Sequence, residues 1–207
     1  AVVEEEQDLF QLVGMDGELP IVGQGGVDAF AVTSNNASGN KIESFLERRI
    51  EYRPVVDQTS GDASATLRVE FTNTAPTTGY PDYVIGNIVD APVGTNRMLL
   101  NVHTKLLPTE VILDGQRVVP PIGTELEYWA TDLSFDVPAG ETVVMEMTLE
   151  GDLDEGPYQL VYRPQPLPNT DTLVVAASTP DGGSIFDYEG QPERRSLLNA
   201  NGIRAWR

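Results

Sequence analysis

Only one side chain in this 207-residue sequence ionises near neutral pH without help from its surroundings, His103. Hydrolysis of the Ser-His-Asp kind needs such a base beside a nucleophile. The run Leu99-Leu100-Asn101-Val102-His103-Thr104-Lys105-Leu106 has the two-residue period of a strand. That period predicts His103 on one face with Asn101 and Lys105, in water, opposite Leu100, Val102 and Thr104. No Gly-x-Ser-x-Gly elbow accompanies it, so His103 is expected to be a solvated strand histidine and no catalytic residue is assigned. One imidazole cannot supply the multi-histidine sets of zinc or iron enzymes. The absence of cysteine removes thiolate catalysis, disulfides, zinc–cysteine sites and iron–sulfur clusters.

Oxygen chemistry is the alternative. The densest acidic runs are Gly151-Asp152-Leu153-Asp154-Glu155-Gly156 and Asp181-Gly182-Gly183-Ser184-Ile185-Phe186-Asp187, and neither has the spacing of a twelve-residue calcium loop. Among 32 acidic residues some pair always stands at a separation suited to glycoside hydrolysis, so paired carboxylates carry no signal here. Trp129, Trp206, Tyr80, Tyr83 and Tyr128 have the ring faces that sugars stack on, although strand aromatics commonly serve core or hairpin packing. Asn36-Ala37-Ser38 has the form of a glycosylation sequon. No metal or cofactor is expected.

Thirty-two acidic against thirteen basic side chains give a formal charge of −19. Such a surface repels nucleic-acid phosphates and anionic bilayers, both of which are bound through clustered Lys and Arg. Solubility is the simplest consequence of the charge. The 40% hydrophobic and 22% charged composition belongs to a globular chain, long enough to build a core without disulfides or metals. No apolar window reaches the length of a membrane span. The ends, Ala1-Val2-Val3 and Ala205-Trp206-Arg207, suggest a piece of a longer protein, with any signal or anchor outside it.

The elements that would position these residues are mainly strands. Residues 3–14 suit a short helix, with acids first and Gly14 last. The Gly23-Gln24-Gly25-Gly26 loop that follows lacks the spacing of a phosphate cradle. Strands are predicted at Val27–Thr33, Ile50–Arg53, Ala65–Thr72, Arg97–Leu106, Glu110–Leu113, Gln116–Val119, Glu125–Ala130, Leu133–Val137, Thr142–Glu150, Tyr158–Tyr162 and Thr172–Ala177. Lys41–Arg49 fits either a helix or part of a long strand, with a slight preference for helix. Asp114-Gly115 is a tight hairpin turn, and Pro138-Ala139-Gly140-Glu141 reads as another. The pattern predicts an all-β fold, an antiparallel β-sandwich of immunoglobulin-like or fibronectin-like architecture with one or two short helices. The division expected is a helix and Gly-rich linker at 1–26 ending a preceding domain, the sandwich at 27–180, and a C-terminal extension at 181–207.

Several phrases in order, Glu5-Glu6-Gln7, Gly39-Asn40-Lys41-Ile42, Thr72-Asn73-Thr74-Ala75-Pro76, Tyr80-Pro81-Asp82-Tyr83-Val84, Gly94-Thr95-Asn96-Arg97 and Val137-Pro138-Ala139-Gly140, run through the chain. Their order and spacing resemble the C-terminal region of the DUF4012 family of bacterial, chiefly actinobacterial, envelope proteins, from Glu5 to about Val175. The resemblance implies a membrane-anchored, outward-facing protein with a domain preceding this one. It implies no catalytic residues.

The expected function is a noncatalytic extracytoplasmic structural or binding module of a larger envelope protein. Its expected partners are a cell-envelope glycan or another envelope protein, without nucleic acid, and with the membrane reached only through segments outside this chain. The alternatives are a carbohydrate-binding module for cell-wall or capsular glycan, with or without calcium, and a carboxylate-based enzyme acting on glycan. Contacts are expected first in the loops Ser34–Lys41 and Asn73–Asn87, since polar loops on a rigid sandwich are where binding residues gather.

Overall fold

Apolar side chains at every second position need a surface to cover, and two sheets facing one another provide it. In the computed structural model, residues 26–87, 90–192 and 196–205 are described. They form β1 (Val27–Asn36), a 3-10 turn (Ile42–Phe45), β2 (Leu46–Val56), β3 (Asp62–Asn73), α1 (Asp82–Ile85), β4 (Asn96–Thr104), β5 (Leu107–Leu113) and β6 (Gln116–Val118). The second half adds β7 (Ile122–Glu125), β8 (Tyr128–Val137), β9 (Thr142–Asp152), β10 (Gln159–Arg163), β11 (Thr172–Ser178), β12 (Ser184–Gly190), β13 (Ser196–Asn199) and β14 (Gly202–Ala205). One seven-stranded sheet has the order β14-β13-β10-β1-β4-β8-β7 and the other β12-β11-β2-β3-β9-β5-β6. The fold is an all-β sandwich. The expected helix at 3–14 and most of the Gly-rich linker lie outside the described residues.

The core lies between the sheets. Leu67, Val69 and Phe71 of β3 face it as their alternation predicts, alongside Ile50 and Tyr52 of β2, Met145 and Met147 of β9, and Phe30, Val102 and Tyr162 from the opposite sheet. On the outer side of β3, Arg68 donates to Glu70 at 2.7 Å.

The sheets are mixed and not wholly antiparallel. Strand β1 pairs in parallel with β10, and β2 in parallel with β11. The cause is connectivity: β1 to β2 and β10 to β11 both carry the chain from the first sheet to the second, and because β10 lies beside β1 and β11 beside β2 these two crossings run side by side in the same direction.

Several boundaries differ from the sequence pattern. Lys41–Arg49 holds a single 3-10 turn and is strand from Leu46, because Leu46, Arg48, Ile50 and Tyr52 alternate inward as one face of β2. Strand β1 runs three residues past Thr33 to Asn36, and β7 and β8 divide at Leu126-Glu127 instead of within 131–132. Asp114-Gly115 makes the expected hairpin turn, both residues with positive φ. Pro138–Glu141, expected to close a hairpin, instead carries the chain from β8 in one sheet to β9 in the other. Strands β12 and β13 of the C-terminal stretch pair with β11 and β10, so this stretch widens both sheets.

Gly61, in the β2–β3 turn, has φ +87°, and a Cβ there would stand 2.0 Å from the Leu153 carbonyl oxygen. Only glycine fits where this turn meets the segment after β9. No helix among the described residues is long and apolar enough to cross a membrane.

Candidate functional site

At one end of the sandwich the strand ends Asn36, Leu46, Asn73, Asn96 and Val137 meet through their pairing registers. The loops there are 37–45, the described parts 74–87 and 90–95, 138–141 and 164–171. Both segments expected to make contacts fall at this end, and the backbone ties them together. Lys41 N–H donates to Val84 O at 3.2 Å and Thr74 N–H to Phe45 O at 2.9 Å. Ile42, Ala75 and Ile85 bury a small apolar cluster between the loops, against which Phe45 and Val84 pack. The Asn40 side-chain amide donates to Gly86 O.

Asparagine side chains hold this end in shape. Asn73 is fully buried; its Nδ2 donates to Gly94 O at 2.7 Å and Val137 O at 2.8 Å, and its Oδ1 accepts from Ala75 N–H at 3.0 Å. One side chain thus splices β3, the β4 entry and the β8 exit. Asn73→Ala is expected to cost about 1–3 kcal/mol for the carbonyls and N–H left unpaired. The Ala75 amide, which loses its acceptor, should then exchange hydrogen faster by NMR, while the amides of β9 keep their relative protection.

In the sequon, Asn36 Nδ2 donates to Asn40 Oδ1 at 2.7 Å and lies 3.3 Å from Glu43 Oε2, while Asn36 Oδ1 accepts from Ser38 N–H at 2.7 Å. Its amide is committed to the loop.

Two tyrosines stand outward from this scaffold, Tyr80 at 51% and Tyr83 at 70% exposure. Tyr80 is braced by an edge-on contact with Phe45, ring centroids 5.4 Å apart. The other rings expected for sugar stacking are placed differently. Tyr128 is buried on the outer face of its sheet with Val27, Ala29, Val161 and Leu197. Trp129 is half-buried on β8, and Trp206 lies outside the described residues.

His103 lies on the outer face of β4, in phase with Asn101 and Lys105, yet it is not solvated: its side chain is only 10% exposed and its Nε2 is 2.9 Å from Glu125 Oε2 of β7. The strands on either side place the small side chains of Ala31 and Ala130 opposite it, and Glu125 of β7 reaches its ring. Its Nδ1 has no hydrogen-bond partner among the described residues. Among the described residues, no three His, Asp or Glu side chains converge as a metal-binding group.

Two buried ionic clusters between the sheets were not signalled by any motif. Arg48 and Asp171 form a bidentate pair, Nε to Oδ1 and Nη2 to Oδ2 both at 2.7 Å, with both side chains 0% exposed. Arg48 Nη1 also reaches Val32 O and Gln165 Oε1, each at 3.2 Å, and Tyr162 Oη donates to Asp171 Oδ2 at 2.6 Å. Asp28, inward-facing on β1, accepts from Tyr52 Oη at 2.6 Å and Tyr158 Oη at 3.0 Å on the same oxygen, and from Ala29 N–H on the other. Burial pushes the Asp28 carboxyl above its ordinary value, and the two phenols, the amide and the distant Lys105 charge pull it back in part. Burial also drives the Tyr52, Tyr158 and Tyr162 phenols far up, so all three are hydroxyl donors at neutral pH. The sequence trace of these clusters is a charged residue in an apolar phase, Asp28 in line with Phe30 and Val32 and Arg48 between Leu46 and Ile50 on one face.

No protein-family model and no curated protein matches the chain. Among solved structures, it is similar to a proposed nutrient-binding protein of Legionella pneumophila at 12% identity and TM-score 0.44, over 74% of this chain and 55% of that one. It is also similar to an M1 zinc metallopeptidase from Deinococcus radiodurans at 11% identity and TM-score 0.28, over 63% of this chain and 32% of that one. The chain therefore spans about half of the first and a third of the second. Likeness this distant assigns neither activity nor ligand.

Proposed function

We propose that this chain is a noncatalytic, extracytoplasmic module of a larger envelope protein, making its contacts through the loop end built by residues 34–45 and 73–97. The observation that carries the binding role is the pair of outward tyrosines, Tyr80 and Tyr83, on loops locked to each other by Asn40, Asn73 and the Ile42 cluster. Large apolar rings held in water on a rigid frame cost solvation that a partner recovers, and rigidity spares the ordering cost of binding. The envelope location and the membrane-anchored parent rest on the resemblance of the phrases between Glu5 and Val175 to the DUF4012 family.

A carbohydrate-binding reading is favoured by the same two rings, because sugars present C–H faces that stack on exposed aromatics. It draws no support from Tyr128, which is buried. A glycan array followed by thermal unfolding with and without calcium separates the readings. A true glycan at a hundredfold excess over its Kd should add about 2.7 kcal/mol of stability. Tyr83→Ala should abolish that gain while leaving the ligand-free stability within about 0.5 kcal/mol, as expected of an exposed side chain. Binding that survives Tyr83→Ala and Tyr80→Ala together would move the contact surface elsewhere. Absence of any glycan response would leave the partner a protein.

A further inference from the structure

Buried polar atoms in folded proteins are nearly always hydrogen-bonded, so several unpartnered ones in one corner point to a guest. At the loop end such atoms are Ser38 Oγ, Asn87 Oδ1, and both Oδ1 and Nδ2 of Asn96. Ser38 is 0% and Asn96 1% exposed.

Backbone contacts bring Ser38 and Asn96 into the same corner. Asn36 pairs with Met98 at the end of the β1–β4 ladder, and Ala37 N–H donates to Arg97 O at 2.9 Å, so Ser38, where the chain bends away, and Asn96 each adjoin that contact. Asn96 shares the inward phase of Met98 and Leu100. Asn87 borders this corner through Gly86, whose carbonyl is held by Asn40, two residues from Ser38.

The carbonyls of the surrounding backbone each already accept a hydrogen bond: Gly94 O and Val137 O from Asn73, Arg97 O from Ala37, and Gly86 O from Asn40. The unpartnered set therefore asks for a small guest that both donates and accepts: donors for Asn87 Oδ1 and Asn96 Oδ1, an acceptor for Asn96 Nδ2, and either for Ser38 Oγ. A water molecule has that chemistry and the two to four partners that internal waters take. An alkali cation could use the oxygens but would be repelled by the Nδ2 donor.

We propose that Ser38, Asn87 and Asn96 hold an internal water that fastens the two contact loops to the β1–β4 ladder. The site stands on buried geometry alone and holds whether or not the loop end binds a glycan.

A high-resolution crystal structure tests it directly. The expected result is a density peak about 2.7–3.2 Å from the Asn96 amide and from Ser38 Oγ. A direct Ser38–Asn96 bond, or an Asn96 amide turned onto protein carbonyls, overturns the proposal. Thermal unfolding of Ser38→Ala, Asn96→Leu and the double variant gives an independent reading. A shared water predicts that each single change lowers the midpoint and that their effects fail to add. Unhydrated polar atoms predict the reverse, a midpoint raised by each apolar replacement. The midpoint should also ignore exchange of sodium for potassium at constant ionic strength, and dependence on the cation would replace the water with a metal.

Discussion

Replacing Asp171 with alanine is expected to lower the stability of this protein by about 3–5 kcal/mol, because it strands a buried guanidinium without its counter-charge. Arg48 has no exposed surface through which water could compensate, and Tyr162 Oη loses its acceptor at the same stroke. In a domain of this size each kcal/mol corresponds to about 2–4 °C, so the unfolding midpoint should fall by about 6–20 °C. Denaturant titration checks the value through the change in midpoint at constant slope. Removing both charges, Arg48→Met with Asp171→Leu, should restore most of the loss, since desolvation of the pair opposes its attraction. A double variant as unstable as Asp171→Ala would instead place the cost in packing across the two sheets.

Asp28 gives the second large effect, with its sign set by pH. Asp28→Ala leaves two buried phenol hydroxyls without their acceptor, each worth about 1–3 kcal/mol. Asp28→Asn keeps the shape and removes the charge. The folded carboxyl titrates above the unfolded value because burial disfavours its ionised form. Between those two values the folded state holds more protons than the unfolded one, so stability falls as pH rises from about 4 through the folded pKa. The asparagine variant lacks that slope. Its stability relative to the parent should therefore increase as pH is raised through this window and level off above it. Parallel thermal melts of the two proteins across pH 3–8 read the difference, and curves that stay a constant distance apart would show that Asp28 does not titrate within the fold.

What the sequence makes legible follows from how local each feature is. The alternation of Leu67, Val69 and Phe71 names their buried face, and Asp114-Gly115 names its turn, because both depend on a few adjacent residues. Pro138–Glu141 has the same composition as a hairpin turn yet joins two sheets, since a strand's period does not say which layer it enters. Arg48 stands in the inward phase of β2 between Leu46 and Ile50, but what lets a guanidinium sit there is Asp171, 123 residues away in sequence. His103 shows the complementary limit: its face is legible, but the cover that its neighbours give it is not. At the loop end, Gly and Asn mark the segments, whereas the meeting of Lys41 with Val84 and of Thr74 with Phe45 is a product of strand order. Both expected contact segments lie there for that reason.

The two parallel pairings impose an order of assembly. Strand β1 sits between β4 and β10, and β2 between β3 and β11, so each early strand has one flank reserved for a late one. As the chain leaves a ribosome, β1 and β2 can find β4 and β3 but must keep their other edges open until residues 159–178 have emerged. An open edge is a template for mispairing, and contacts this distant in sequence form slowly. The polypeptide from residue 159 onward acts as a clasp, and any truncation that removes it unfastens the middle of both sheets at once.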